Sequence, residues 1–182
     1  LVANLASTGK WSVFRKDYLE GSSLFTKSKG LWLEKEMNHE NGKEMIGQLF
    51  GNTPFDFPKS VDYIKKCLLL GTCKEDDIVL DFFSGSATTA HAVMQLNKED
   101  GGNRKFICVQ LPEVCEENTE AYKAGYKTIC EIGKERIRRA GKSLSETDAQ
   151  LTLDDAEKSP LDIGFRVLKL DSSNLKTWDT TP

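Results

Sequence analysis

The sequence of 182 residues has no hydrophobic run long enough to cross a membrane, and no secretory signal opens it. Its five cysteines form no Cys-x-x-Cys pair and only two histidines occur, so the ligand spacings of zinc sites are absent. We therefore expect a cytoplasmic protein with reduced thiols, no metal centre and no membrane contact. Because the chain begins at Leu1 rather than at a methionine, we interpret it as a fragment of a longer protein.

The chain also has little excess charge of either sign. It carries 25 Lys and Arg against 28 Asp and Glu, a net charge of −3. The charge of the whole chain therefore does not indicate a nucleic-acid-binding protein. One dense basic patch is present, formed by Arg136, Arg138, Arg139 and Lys142. Two interpretations of it stay open: a phosphate contact with DNA, or a solvated helix face of mixed charge.

The common nucleotide-binding motifs are incomplete. The Gly-Lys-Ser at 141–143 lacks the earlier glycine of a Walker loop, because Arg136 holds that position. A Gly-x-Gly-x-x-Gly fingerprint would need glycines at Gly85, Ala87 and Ala90, and two of the three are alanine. The sequence therefore contains neither a Walker loop nor a complete dinucleotide fingerprint.

What the sequence does contain is a strand–loop–helix pattern over residues 78–96. An apolar run ends at Asp81, a small-residue turn follows, and a helix-compatible run comes next. In α/β folds such a loop lies outside the carboxyl end of a strand, where ligands bind. Gly85 allows close approach of the backbone, and we expect Ser84 and Ser86 to cap a helix whose first N–H groups attract an anion.

A second strand is predicted at Lys105–Leu111 from its nearly continuous apolar run, which is typical of a buried parallel strand. Strand, helix and strand together indicate a βαβ unit. The end of the second strand is where an acid often binds ribose hydroxyls. Gln110 occupies it, and an amide can still donate and accept there; Glu113 is the alternative acid.

Composition and turn residues divide the chain into four segments. We predict helices on either side of the core, one capped by Ser60 and ended by a left-handed Gly71, the other, at 118–141, divided by Gly125. His91 is expected to face outward from the helix after the loop. The predicted segments are an irregular N-terminal segment at 1–52, a cofactor-binding βαβ core with flanking helices at 53–142, an acidic loop at 143–160, and a strand and tail at 161–182.

The loop itself resembles a known family. Asp-Phe-Phe-Ser-Gly-Ser-Ala-Thr-Thr-Ala-His-Ala-Val at 81–93 is similar to the S-adenosylmethionine loop of amino-methylating DNA methyltransferases, above all the modification (Mod) subunits of type III restriction-modification systems. The family loop is Asp-Phe-Phe-x-Gly-Ser-Gly-Thr-Thr, so this chain departs from it at Ala87. The family pattern at the next strand is Phe-Ile-Gly-Ile-Glu, which places an acid where this chain has Gln110. Phe-Asp-Phe-Pro-Lys-Ser at 55–60 resembles the preceding family segment, Phe-x-x-Pro-Lys-Pro, with Ser60 in place of proline.

This resemblance implies an α/β fold: a partial S-adenosylmethionine-dependent methyltransferase (Rossmann-like) fold, with a mostly parallel sheet flanked by helices. It implies S-adenosyl-L-methionine as the cofactor, with Lys59 able to reach the cofactor's carboxylate. The residues that would bind the cofactor are Phe57, Lys59, Asp81, Phe83, Gly85, Ser86, Thr88, Thr89 and Gln110.

A second family motif, Asp/Asn-Pro-Pro-Tyr/Phe, holds the target base, and no Pro-Pro occurs in this chain. The resemblance therefore implies the C-terminal part of an adenine-N6 DNA methyltransferase, without catalytic residues of its own and inactive alone. The implied partners are DNA, the restriction (helicase–nuclease) subunit and a second Mod subunit.

Two other functions stay open. One is an NAD-type Rossmann oxidoreductase fragment, which would share the βαβ unit but lacks the expected glycines. The other is a degenerate, non-catalytic scaffold that docks a restriction subunit, and its support is Ala87 and Gln110.

Overall fold

The computed structural model describes residues 2–5, 8–14, 28–148 and 161–171, and the chain divides into two compact units at Trp32. In the first unit, strands β1 (Val2–Leu5) and β2 (Trp11–Phe14) pair antiparallel. All the residues predicted to bind the cofactor belong to the second unit, which starts at Leu33.

The second unit alternates helices and strands around a parallel pair of strands. Strands β3 and β4 pair in parallel, and helix α3 connects them, which confirms the predicted βαβ unit. The elements in chain order are a 3-10 helix (Lys35–Met37), α1 (His39–Phe50), α2 (Val61–Leu70), β3 (Ile78–Asp81), α3 (Thr88–Asp100), β4 (Lys105–Cys108), α4 (Glu120–Lys123) and α5 (Ile129–Asp148).

The two faces of this small sheet differ in burial. The register places Val79 opposite Phe106, and Phe106 packs under the buried face of α3. On the other face, Ile78, Leu80 and Ile107 are 65%, 48% and 50% exposed. The predicted second strand is therefore correct in direction, but it ends at Cys108 rather than at Leu111. In the described part of the chain it is covered on one face only.

Helix α3 is the centre of the packing because it contacts the sheet, α2 and α5. Its buried residues Ala90 and Met94 meet Ile137 and Ala140 of α5. Small side chains at this contact let the two helices approach closely, and burial of a side chain such as Met94 stabilises the fold by about 2 kcal/mol.

The prediction of an irregular segment at 1–52 is wrong for residues 39–50, which form α1. Asn38 caps this helix, its side chain accepting from the backbone N–H of Asn41 at 2.9 Å, and Gly51 ends it with φ of 77°. The glycines inside the helix suggested an irregular segment. Caps at both ends and packing against α5 outweigh their low helix propensity.

Other predicted boundaries change as well. Residues 143–148 continue α5 instead of starting a loop, and 161–171 contain no strand, because their contacts are side-chain contacts rather than a backbone ladder. Phe165 packs on the core there, and Lys105 pairs with Asp162 at 3.3 Å. Residues 149–160 and 172–182 lie outside the described residues.

The helix ends give a mixed result. Ser60 caps α2 as predicted, accepting from Tyr63 at 3.3 Å, and Gly125 separates α4 from α5 with φ of 91°. Gly71, however, has φ of −73°, so it does not end α2 in a left-handed conformation. The next residue, Thr72, takes the left-handed conformation instead, with φ of 57°.

Gly42 in α1 lies against the backbone of the segment that precedes α2. A Cβ added there would collide with the carbonyl oxygen of Pro58, whereas one added at Gly47 would meet only Thr53 at 3.8 Å. We predict that Gly42→Ala destabilises the fold by about 1–3 kcal/mol through overpacking. Gly47→Ala in the same helix should stabilise it by about 0.5–1 kcal/mol.

Urea unfolding of the two variants and the unchanged chain gives the comparison. Equal stabilities for both variants would show that α1 does not pack against Pro58 as described.

His91 does not face outward as predicted; it is 4% exposed on α3. Burial, with the charges of Arg136 and Lys65, lowers the pKa of His91 to about 3. Its spacing from Ala87 and Met94, four and three residues away, places it among the buried positions of the helix. It is therefore neutral in the folded protein.

This burial predicts a dependence of stability on pH. Unfolding restores the usual pKa near 6.5, so the unfolded chain binds more protons as the pH falls from 6.5 towards 3, and folding stability is lost over that window. Between pH 7 and pH 5, we expect the unfolding free energy to fall by about 2 kcal/mol more than in His91→Leu. Urea unfolding across this range measures it, and equal slopes for both proteins would contradict a buried neutral His91.

Candidate functional site

The carboxylate of Asp81 stands at the end of β3 and holds the start of the following loop. One oxygen accepts from the backbone N–H of Phe83 at 3.1 Å, and the other accepts from the hydroxyl of Thr89 at 2.5 Å. The acid thus joins the strand end to the loop and to the first turn of α3. Thr89 is itself 7% exposed, so the second bond is shielded from water.

The loop is also bound to the end of β4. The backbone N–H of Ser84 donates to the carbonyl of Val109 at 3.2 Å, and that of Gly85 donates to the side-chain oxygen of Gln110 at 2.8 Å. The amide nitrogen of Gln110 donates in turn to Glu113 at 3.2 Å. An acid at position 110 could accept from Gly85 but could not donate to Glu113, so glutamine performs a bridging role here.

Gly85 is required by both its conformation and its surroundings. Its φ is +49°, and an added Cβ would lie 3.3 Å from the ring of Phe55. That ring packs against a small buried cluster that includes Ile132 of α5. The sequence pattern does not predict Phe55 as a support of the loop.

Ala87, the departure from the family loop, has φ of 60° and ψ of 41°, a left-handed conformation that favours glycine. Its methyl group is 2% exposed and belongs to the core with Ala90 and Ile137. The extra methyl therefore packs into the interior. Ala87 is also the N-cap of α3 and gives no side-chain cap, so the prediction that Ser84 or Ser86 caps the helix is wrong.

The hydroxyls of Ser86 and Thr88 face a buried arginine instead. The Nη1 of Arg136 donates to Ser86 Oγ at 2.8 Å and to Thr88 Oγ1 at 2.7 Å, and Arg136 is 0% exposed. Thr88 donates to the carbonyl of Lys59 at 3.4 Å, which links the loop to the Phe-Asp-Phe-Pro-Lys-Ser segment.

Sequence reasoning placed Arg136 in a basic surface patch, and the structure corrects this. The available signal was its spacing: it lies four residues from Ile132 and four from Ala140, on the buried stripe of α5. Arg139 is also engaged, because it donates to the carbonyls of Leu49 and Phe50 at the end of α1. The exposed part of the patch is therefore smaller than predicted.

The remaining predicted side chains project into water. Phe57 and Phe83 are 74% and 87% exposed. The side chain of Lys59 is exposed as well, while its backbone carbonyl accepts a hydrogen bond from Thr88. The structure thus joins Asp81 to Thr89, Gly85 to Gln110, and Lys59 to Thr88. It leaves two aromatic rings and one ammonium group available at the surface.

Away from the loop, the described residues form a second depression but neither a metal site nor a membrane-spanning helix. An open surface depression of about 670 Å³ lies at the opposite end of the strands, lined by residues 73–76 and 101–104. Across the described ranges, no group of three or more His, Cys, Asp or Glu side chains is arranged to hold a metal ion. None of the helices there has the length and apolar character needed to cross a bilayer.

The α/β unit carries an acid and a glycine loop at the carboxyl end of a strand. These features agree with the similarity of the sequence to known proteins. Residues 8–142 match the model of the N6/N4-methyltransferase family, described as DNA methylase, and the chain belongs to this family. The hypothesis of an NAD-type oxidoreductase finds no support in the comparisons.

Three relatives illustrate the family. The chain is 41% identical to the type III restriction-modification enzyme StyLTI Mod subunit of Salmonella typhimurium and 40% identical to the EcoPI Mod subunit of Escherichia phage P1; each match covers 78% of this chain and 20% of the relative. It is 36% identical to the type II methyltransferase M.KpnI of Klebsiella pneumoniae, over 69% of this chain and 30% of that enzyme. The chain thus spans about a fifth of the length of the Mod subunits.

Replacement of Ala87 tests the packing of its methyl group. In Ala87→Gly, relief of about 1–2 kcal/mol of left-handed strain is offset by a lost buried methyl (about 0.8 kcal/mol) and by glycine's entropy when unfolded (about 0.5–1 kcal/mol). We expect the unfolding free energy to change by less than about 1 kcal/mol. Ala87→Val should lose more than about 2 kcal/mol, since a branched side chain fits neither this conformation nor the space beside Gly133.

Thermal and urea unfolding of both variants measure these changes. A marked gain of stability in Ala87→Gly would contradict a favourable packing role for the methyl group.

Proposed function

We propose that the loop between β3 and α3 binds S-adenosyl-L-methionine, and that this chain is the C-terminal, cofactor-binding part of a type III Mod subunit. The observation that carries the proposal is the placement of Asp81 and Gln110. Asp81 is the last residue of β3, Gln110 follows the parallel neighbour β4, and both hold the loop around Gly85, at the strand ends where α/β folds bind ligands.

The side chains around the loop suit the chemistry of this cofactor. Gly85 leaves the backbone open to close approach, and the exposed ammonium of Lys59 can pair with a carboxylate. Phe57 and Phe83 offer exposed rings, and a sulfonium or an adenine is attracted to such faces. When bound, the cofactor would supply the methyl group; this chain would bind and orient it.

The rest of the reaction is assigned to the remainder of a longer protein. The complete enzyme would flip an adenine out of DNA and transfer the methyl group to its N6 amine. This chain has no Pro-Pro motif to hold the base, so we propose that it is inactive alone. DNA, a restriction helicase–nuclease subunit and a second Mod subunit are the partners that follow from this assignment, and the complete sheet would be a larger, Rossmann-like one.

The support for the type III assignment is the similarity to two Mod subunits at 40–41% identity. The identity to a type II methyltransferase is lower, at 36%, so the type III assignment rests on a difference of a few per cent in identity. A non-catalytic scaffold remains the second candidate, and its support is that Gln110 replaces the acid of the family pattern.

Calorimetric titration with S-adenosylmethionine tests the proposal, with the 182-residue chain and the complete protein measured in parallel. We expect the wild-type protein to bind and Asp81→Ala to bind at least tenfold more weakly, since the loop loses two bonds to a charged acceptor. Asp76→Ala is the matched control: Asp76 is an exposed acid before the same strand, and affinity should not change.

The outcomes separate the hypotheses. Thermal protection by NAD without protection by S-adenosylmethionine would reverse the assignment in favour of an oxidoreductase. No cofactor affinity in the complete protein, together with tight capture of the restriction subunit, would establish the scaffold instead.

A further inference from the structure

Arg136 is the most deeply buried charged side chain in the described part of the molecule, with 0% exposure. Its Nη1 bonds only to neutral hydroxyls, those of Ser86 and Thr88. Its Nε and Nη2 have no hydrogen-bond partner among the described residues. The other buried arginine, Arg104, contrasts with it, because Asp100 pairs with that guanidinium at 2.7 Å.

Stability does not explain this arrangement. A buried cation without a carboxylate carries a desolvation penalty, and burial lowers the pKa of Arg136 to about 10, still well above neutral pH. Even buried ion pairs can often be replaced by apolar side chains of similar volume without loss of stability, and among the described residues Arg136 lacks the compensating carboxylate of such a pair. An arginine kept beneath a ligand loop under these conditions therefore indicates a role in that loop.

The hydrogen bonds show what the role is. Because the guanidinium can only donate, the oxygens of Ser86 and Thr88 must accept, and their own O–H groups must point elsewhere. Thr88 directs its proton to the carbonyl of Lys59 at 3.4 Å. One guanidinium thus fixes both hydroxyl directions and couples two segments that lie far apart in the sequence.

We propose that Arg136 is a positioning residue for the cofactor site: it holds the loop at 84–88 and the segment at 57–60 in register before the ligand arrives. This inference rests on the proposed function, since the ligand it serves is S-adenosylmethionine. The positive charge also lies at the N-terminal end of α3, where helix dipole and guanidinium together favour a carboxylate above the loop.

The variants Arg136→Met and Arg136→Lys test the proposal in the complete protein. Arg136→Met removes the donors but fills the space, so the melting temperature should stay equal or rise, while affinity for S-adenosylmethionine falls at least tenfold. Arg136→Lys, with a charge but no planar fork, should lie between. Arg138→Met is the control on the same helix, at an arginine whose side chain is 57% exposed, and it should change neither quantity.

Two further measurements separate positioning from a merely structural role. A double-mutant cycle with Thr88→Val should be non-additive, the double variant binding no more weakly than the weaker single variant. Amide hydrogen exchange without any cofactor should speed up in Arg136→Met at both 57–60 and 84–88, and in Arg138→Met at neither.

Each failure has its own signature. If the wild-type protein binds no S-adenosylmethionine, the proposed function fails, while the exchange data still decide whether Arg136 couples the two segments. If wild type binds and Arg136→Met binds within twofold of it, the positioning role is overturned and the proposed function stands. A drop in affinity that only follows a loss of folded protein would likewise overturn it.

Discussion

The two hydrogen bonds accepted by the carboxylate of Asp81 are the interaction on which the rest of the candidate site depends. A parallel strand must end, a loop must turn, and a helix must begin within seven residues, and one acid accepts from the loop backbone and from the helix side chain. Hydrogen bonds to a charged acceptor are stronger than those between neutral groups. A carboxylate can therefore hold the loop even at the half-exposed end of the strand. These two bonds fix the first turn of α3 to the end of β3, and apolar contacts with α2, α5 and the sheet hold the rest of the helix.

Three other supports act on the loop from different directions. Gln110 holds Gly85 from the neighbouring strand, Phe55 lies beneath the same glycine, and Arg136 holds Ser86 and Thr88 from α5. None of these residues is near the loop in sequence. The loop is thus shaped by the tertiary structure. Its hydroxyl groups bond to the buried Arg136 and do not cap the helix.

The sequence was informative where local chemistry decides the structure. The alternating strand, loop and helix pattern predicted β3, α3 and β4, and the cap at Ser60 and the break at Gly125 were predicted from their side chains. Helix α1 was missed because its interior glycines resemble turn residues. One of them, Gly42, is there because the backbone at Pro58 approaches too closely for any side chain.

The parts of the site that escaped prediction are those set by burial. A cluster of arginines is expected at a surface, yet the period of α5 turns Arg136 inward beside Ile132 and Ala140. The family pattern indicated an acid at position 110, and only the structure reveals that the amide there bonds to Gly85 and Glu113 at once. Residue identity marked the candidate positions, whereas long-range contacts decide which groups each of them bonds to.

The exposed face of the sheet adds a last constraint. Ile78, Leu80 and Ile107 form a continuous apolar surface on the side of β3 and β4 away from α3. Parallel strands normally have both faces covered, and within the described residues this face of the strand pair is exposed to water. The chain matches about a fifth of the length of each Mod subunit. The rings of Phe57 and Phe83 beside the loop are exposed as well. The contacts that shape the loop come from residues of this unit, whereas the apolar side chains around the loop are exposed in the described part of the chain.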